Sequence, residues 1–275
     1  EALTTVPAEL KPDVQAGIRF AREAEMPLSV RAGGHDWVGR SLCDGVVLDL
    51  TPMRGAAVSP DRRAVRVAGG ARGVDVYPAT DPLGLAPVSG TVGLVGVAGL
   101  TLGGGYGPLI GLHGLACENM RSAEIVLSDG SLVTASAREN PDLFWALQGG
   151  GGNFGVVTAL ELKLYPLASI YSGLAIFPYA QAKAVFDGCA AYRTTAPPGL
   201  DIQVGILPSP DGSVVVAVTP SWIGDPAEGE AVMAPILALG TPLMANFAST
   251  SFGVSRGFFD AHIHLGLHTS GDGAW

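Results

Sequence analysis

His35 stands in the run Arg31-Ala32-Gly33-Gly34-His35-Asp36-Trp37, where an expected strand from Met26 to Arg31 meets two glycines. Glycines at a strand end let the backbone turn sharply and bring bare N–H groups up to a ligand. An imidazole just past such a turn is placed to touch whatever those amides hold. Further glycine loops downstream read as parts of the same site. Gly90, Gly93, Gly96 and Gly99 recur every third residue and lead into Gly103-Gly104-Gly105-Tyr106-Gly107. On a helix, that spacing sets most of them along one side and leaves a bare backbone groove. Such a groove serves close packing of a helix on a sheet, or it receives a large flat or phosphorylated ligand. The run alone leaves both open.

The third loop, Gly149-Gly150-Gly151-Gly152-Asn153-Phe154-Gly155, formally matches the dinucleotide fingerprint at Gly150, Gly152 and Gly155. A Rossmann turn runs strand, glycines, helix, so that the helix N-terminus faces the pyrophosphate. Here the expected order is helix, glycines, strand, and no Walker sequence occurs. A dinucleotide held by these loops requires a different fold.

The elements that must position these loops give an α+β pattern. Pro12-Asp13-Val14 opens a helix with Val14, Ile18 and Ala21 on one face and Arg19, Arg22 and Glu23 towards water. Strands are expected at Leu28–Arg31, Val46–Leu50 and Ala64–Val67, then a short helix from Gly73 to Thr80 that Pro78 interrupts. Asp129-Gly130 joins Ser122–Leu127 to Ser131–Ala135 as a hairpin. Asn140 caps a helix that has Pro141 at its first position and ends near Gln148. Val156–Leu164 is a strand that Pro166 closes. Beyond it glycines thin out. A helix at Tyr179–Arg193, strands at Ile202–Pro208 and Ser213–Thr219, and a helix through Ala227–Leu239 predict a second domain. The boundary falls at Pro166, giving 1–166 and 167–275.

Composition narrows the partners. Of 275 residues, 15% are charged and 48% hydrophobic, which excludes disorder. A net charge of −9 without a basic cluster argues against nucleic acid. From Pro82 to Cys117 there is no Asp, Glu, Lys or Arg, but prolines and dense glycines there argue against a membrane span. Cys43, Cys117 and Cys189 are too scattered for a disulfide framework or a zinc ribbon and read as buried small hydrophobes. Cytoplasm is the default expectation. Secretion or excision from a longer chain stays open, because residue 1 is Glu1.

Taken together, Arg31-x-Gly33-Gly34-His35-Asp36, the Gly90-to-Gly107 run and Gly149–Val157 resemble the berberine bridge enzyme-like flavoproteins. These belong to the vanillyl-alcohol-oxidase group, whose FAD-binding domain is of the p-cresol methylhydroxylase type. Val46-Leu48-Asp49-Leu50 and the Gly69-Gly70-Ala71 turn match in order and spacing, and the resemblance is close from Pro12 to Pro166. It implies that domain followed by part of an antiparallel-sheet substrate domain with helices on one face. It also implies FAD, linked covalently through His35 to the flavin 8α-methyl. Arg31, Ala32, Gly33, Gly34, His35 and Asp36, with Ser41, match the loop around the pyrophosphate. Gly90, Thr91, Val92, Gly93, Gly96, Gly99, Leu100, Gly103, Gly104 and Tyr106 fall in the second FAD-contacting segment. Gly152, Asn153 and Val157 match the third. The implied activity is hydride removal from a C–H next to oxygen or nitrogen of a small organic substrate, with O2 as acceptor.

Departures refine this expectation. Bicovalent members carry a cysteine where this chain has Val92, and Cys117 lies too far along to replace it, so a single link is expected. A histidine common before the glycine triplet is replaced by Leu100-Thr101, which removes one polar contact to the flavin. The small Gly90 leans towards an oxidase. Family members are usually much longer, and their C-terminal part brings the acid, base or tyrosine residues over the ring. The chain is therefore expected to be a fragment, or a degenerate member that binds flavin without turnover. Tyr106 is the candidate catalytic residue that remains. A separate alternative is a metal-dependent hydrolase, because His262, His264 and His268, with Asp260, put metal-ligand residue types close together.

Overall fold

The computed structural model describes residues 4–209 and 212–260. The chain opens with β1 (Thr4–Pro7), α1 (Lys11–Glu23), β2 (Leu28–Arg31) and β3 (Val46–Asp49). These strands form a parallel sheet in the order β1-β3-β2. Central β3 reads Val-Val-Leu-Asp, and its three apolar residues are all buried, as a strand covered on both faces requires. Helix α1 lays Val14, Gly17, Ile18 and Ala21 inward at helical spacing. The Asp13 carboxylate accepts the Leu10 and Glu9 N–H groups at 2.8 and 3.1 Å, which satisfies donors at the helix start.

Next come β4 (Ala56–Val58), β5 (Ala64–Ala68), α2 (Gly73–Thr80), β6 (Leu85–Pro87), α3 (Val97–Leu102) and α4 (Ile110–His113). They are followed by β7 (Met120–Val126), β8 (Leu132–Ser136), α5 (Pro141–Leu147) and β9 (Val156–Pro166). The second sheet has the order β4-β5-β9-β7-β8, with β6 also paired to β9. Strand β9 is its spine. Eleven residues long, it joins β5, β6 and β7, and its first five residues are buried without a break. The hairpin β7–β8 closes on Gly130 at φ +84°, a left-handed turn that glycine adopts without strain.

The third sheet is antiparallel. It is built from β10 (Ile170–Pro178), α6 (Ala182–Arg193), β11 (Leu200–Pro208), β12 (Val214–Trp222), α7 (Gly229–Leu237), β13 (Met244–Thr250) and α8 (Phe252–Asp260). Strand order is β11-β12-β10-β13. Phe177, Ile202, Val216 and Val218 on one face pack with Val185 and Cys189 of α6 and Met233 and Ile236 of α7. The opposite face carries Asp201 and Ser221 as register partners, and Gln203 with Thr219. Helix α8 fastens this unit to the first. Asp81 accepts the Ser251 hydroxyl at 2.6 Å and the Gly253 N–H at 2.9 Å, while Asp260 accepts the Leu94 N–H at 3.2 Å. Phe252 meets the Tyr77 ring edge-on at 5.5 Å.

Three local expectations are corrected. Pro78 does not interrupt α2. The helix has only eight residues, and the missing Pro78 N–H forfeits one bond, to the Val74 carbonyl. Asn140 precedes α5 but caps nothing with its side chain, which donates to the Thr134 carbonyl at 2.7 Å while the backbone sits at φ +49°. Cys43 is only half-buried, although Cys117 and Cys189 are buried.

Glu124 of β7 ties the first two sheets together. It pairs with Lys11 of α1 and with Arg66 of β5, the latter at 2.9 Å. The Arg66 hydrogen bond chiefly, then Lys11, hold its carboxyl below the ordinary value against the opposing push of burial. A depressed folded pKa contributes stability that is present above the unfolded value and is lost as pH falls through the folded one. Glu124→Gln is therefore expected to lower the urea midpoint at neutral pH and to flatten the acid loss of stability below about pH 4.3. Parallel midpoint curves for the two proteins across that range would contradict it.

Candidate functional site

Four segments separated in sequence converge through backbone contacts. The loop after β2 brings Gly33 against Gly96. A methyl group on Gly96 would lie 2.6 Å from the Gly33 nitrogen, so neither residue tolerates a side chain. The 90–96 loop is pinned in turn to the start of α2. Val74 N–H donates to the Gly93 carbonyl at 2.9 Å, Gly73 N–H to Val95 at 3.2 Å, and Val97 N–H to Ala71 at 2.9 Å. Gly149 and Gly151 both donate to the Leu102 carbonyl, at 3.1 and 2.9 Å, which docks the third glycine loop on the end of α3. Gly69 N–H donates to Thr158 at 2.8 Å, next to Val157 on β9.

The every-third-residue glycines do not form one helical stripe. Helix α3 begins at Val97, so Gly90, Gly93 and Gly96 lie in the preceding loop and only Gly99 is helical. Close approach explains most of these glycines. Gly93 and Gly96 face neighbours that a methyl would strike, and a methyl on Gly90 would lie 3.0 Å from Leu100 Cδ1. Gly99 and Gly152 are different. Neither has a positive φ, and a methyl on either would meet nothing within 4 Å. Among the described residues nothing requires glycine at these two places, whereas a ligand lying on bare backbone does. Gly104 (φ +107°) and Gly149 (φ +111°) also face open space.

Side chains around this surface sort into two groups. Half-buried His35 accepts a hydrogen bond at Nδ1 from the Trp37 indole N–H at 3.3 Å, so its neutral tautomer carries the proton on Nε2. Gly34 at φ +69° sets the turn that leads into it. Tyr106 and Trp37 are exposed at 58% and 68%, so Tyr106 is not a packed aromatic. Arg72 forms a backbone bridge to Gly96, and its buried Nε, without a hydrogen-bond partner among the described residues, pairs with the Asp75 carboxylate at 3.7 Å; the Thr101 hydroxyl is buried and unpartnered among the described residues. Sequence reasoning missed Arg72, although it directly follows the Gly69-Gly70-Ala71 turn.

The second group is spent within its own loops. Asp36 accepts the Arg40 N–H and pairs with its guanidinium at 4.0 Å. Asn153 donates to the Gly150 carbonyl at 2.8 Å, the Ser41 carbonyl accepts from Ser29 at 3.3 Å, and Arg31 pairs with Asp49 at 3.8 Å. Buried Tyr77 hydrogen-bonds Ser89 at 3.2 Å, and burial pushes its phenol up, so it is no base at neutral pH.

An elongated anionic dinucleotide fits what is present: bare glycine backbone facing open space at Gly99, Gly104, Gly149 and Gly152, and an imidazole on the loop after β2. His262, His264 and His268 lie outside the described residues. Among the described residues, no three of His, Cys, Asp and Glu are grouped to hold a metal. No described helix is long and apolar enough to cross a membrane.

Comparison with known proteins agrees with this fit. Residues 4–136 match the FAD binding domain family. The chain is 30% identical over 257 residues to an uncharacterised FAD-linked oxidoreductase of Bacillus subtilis, covering 91% of this chain and 56% of that one. Among solved structures, 6-hydroxy-D-nicotine oxidase from Arthrobacter nicotinovorans superposes with a TM-score of 0.88 at 27% identity, over 96% of this chain and 59% of that one. A berberine bridge enzyme-like protein of Arabidopsis thaliana superposes with a TM-score of 0.78 at 28% identity, over 93% and 54%. The chain spans between about a third and a little over half the length of the curated relatives it matches.

Proposed function

We propose that the chain is a berberine bridge enzyme-like FAD-linked oxidoreductase, as the FAD binding domain match and its relatives support, and that it serves an oxidase whose FAD carries one covalent link, to His35. The observation that supports this most is the open glycine surface at Gly99 and Gly152, the former three residues beyond the Gly96 that packs on Gly33 of the His35 loop. When bound, FAD supplies the hydride acceptor for a C–H next to oxygen or nitrogen of a small organic substrate, with O2 as final oxidant.

The chain's own residues hold and orient. Gly34, Gly99, Gly103, Gly104 and Gly152 would present bare backbone to the cofactor, while the Gly33–Gly96 contact holds the two loops together. The Trp37 indole holds the His35 ring through Nδ1, and a link at Nε2 would form with loss of the proton that nitrogen carries. Val92 stands where bicovalent relatives carry cysteine, so the single link follows from the resemblance. Tyr106, exposed on the turn after Gly105, is the hydroxyl proposed to hydrogen-bond the substrate's oxygen or nitrogen. The 190 Å³ cavity between β10, β13 and α8, lined by Ser172, Asn246, Thr250 and Ser255, belongs to the sheet proposed to bind substrate.

Anaerobic mixing of the flavin-loaded protein with a panel of alcohols and amines tests the reading. Bleaching of the flavin absorption by one of them, and its return on admitting oxygen, is the expected result. Bound flavin that no member bleaches would favour a flavin-binding chain without turnover. Protein that takes up no FAD would sink the reading.

A further inference from the structure

The third sheet turns a polar face towards the 90–96 loop. Gln203 of β11 donates both amide protons, to Thr91 Oγ1 at 2.7 Å and to Asp201 Oδ2 at 3.1 Å. A carboxylate neighbour fixes the amide's orientation, since only the NH2 end can face it. Register extends the polarity across the sheet. Ser221 lies opposite Asp201, Ser172 lies opposite Ser221 with hydroxyls 3.0 Å apart, and Thr219 lies opposite Gln203. Behind this row sits Arg256 of α8, 1% exposed, whose guanidinium donates to Ser221 and Ser255 at 3.2 and 3.1 Å. No carboxylate stands within ion-pair distance of Arg256 among the described residues.

The donors of this cluster are consumed internally. Asp201 Oδ1 and Gln203 Oε1 accept no hydrogen bond from any described residue, and Asp201 forms no ion pair with one. What the cluster presents outward is a pair of acceptors, one of them charged, held against Thr91. Resting on the flavin reading above, we propose that Asp201 and Gln203 form the specificity-determining subsite of the substrate pocket. It receives a hydrogen-bond donor of the substrate, an ammonium or a hydroxyl, at the Thr91 side of the flavin loop.

Charge around the subsite is consistent with an acceptor. Burial pushes the Asp201 carboxyl up, while its bond to Gln203 and then the charges of Arg256 and Arg193 oppose that push. Burial brings Arg256 down only to about 10, so it remains cationic at neutral pH. Asp81 and Asp260, the other carboxylates packed around α8, each accept a backbone amide, from Gly253 and Leu94, although Asp81 Oδ1 is buried without a hydrogen-bond partner among the described residues. Asp201 is the one of the three that accepts no backbone N–H among the described residues. Such a carboxylate gains most from a donor brought by a ligand.

Benzylamine and benzyl alcohol, which share a ring and differ in the donor, are suitable probes. Each is titrated into oxygen-free, flavin-loaded protein, and the visible difference spectrum of the flavin is read. The wild type is expected to respond, and Asp201→Asn and Gln203→Met are expected to weaken the response at least about tenfold. Loss of benzylamine alone in Asp201→Asn assigns the donor as an ammonium; loss of both probes assigns hydroxyl and amine alike. A wild type that responds to neither probe overturns the proposal, as do variants that bind both unchanged. A fall in flavin content or unfolding midpoint, with probe affinity per bound flavin intact, reduces the cluster to a docking contact and also overturns it. Absence of flavin from the wild type instead defeats the reading on which the subsite rests.

Discussion

Acid-precipitated wild-type protein is expected to give a yellow pellet, and the His35→Ala protein a colourless pellet with its flavin in the supernatant. Only a covalent link survives loss of the fold, so the partition of colour reads the bond directly. Of the two histidines within the described residues, His113 is stacked on Tyr165 at 3.6 Å, and burial lowers its pKa; His35 stands half-exposed at the glycine loops. Trp37 holds the imidazole through Nδ1, so Trp37→Phe should leave a yellow pellet while slowing its appearance after FAD is added. A His35→Ala pellet as yellow as the wild type would remove His35 from the linkage. Colour in both supernatants would keep a flavoprotein and discard the bond.

Gly33→Ala is expected to unfold the site, and Gly99→Ala to keep the fold while losing the cofactor. At Gly33 a methyl would lie 2.6 Å from the Gly96 Cα and closer still to its nitrogen, and backbone on both sides offers no rotamer to move aside. Overpacking of this kind costs about 3 kcal/mol, a large share of a domain's margin, and the loss should show as a lower urea midpoint. At Gly99 the added methyl meets open space within α3, where alanine even favours the helix by about 0.5–1 kcal/mol. Thermal stability of apo Gly99→Ala should equal or exceed that of the wild type, while FAD uptake drops. Normal FAD uptake by Gly99→Ala would mean that its open side faces solvent alone.

What could be read beforehand follows from burial. Strand β3 carries a continuous apolar run because both faces are covered, β9 is buried through Leu160 and then alternates at Glu161 and Lys163, and α1 carries a helical stripe because one face is covered. Strand β13, Met-Ala-Asn-Phe-Ala-Ser-Thr, is mostly exposed and shows no alternation, so nothing in its pattern announced it. Helix α8 mixes glycine, serine and a buried arginine, which hides its inward face. Among the site residues, Gly33, Gly34 and His35 were legible because strand, turn and imidazole adjoin in sequence. The spacing of Gly90, Gly93, Gly96 and Gly99 suggested a single groove. It records two separate demands, loop against loop at Gly93 and Gly96 and bare backbone at Gly99. Asp201 and Gln203 escaped because two polar residues on alternate positions of a strand look like any wet face, and only the fold supplies Thr91 opposite.

The fastening of Leu94 by Asp260 and of Asp81 by Gly253 also bears on how the protein is made. These contacts join residues 166 and 172 positions apart. A ribosome delivering the chain from its N-terminus therefore releases the parallel sheet and the β7–β8 hairpin long before α8 exists to secure the 90–96 loop. Contacts of such sequence separation form late, after the local ones that nucleate folding. Anchoring of the 90–96 loop therefore waits on α8, the last helix among the described residues, which closes as a clasp on parts already folded.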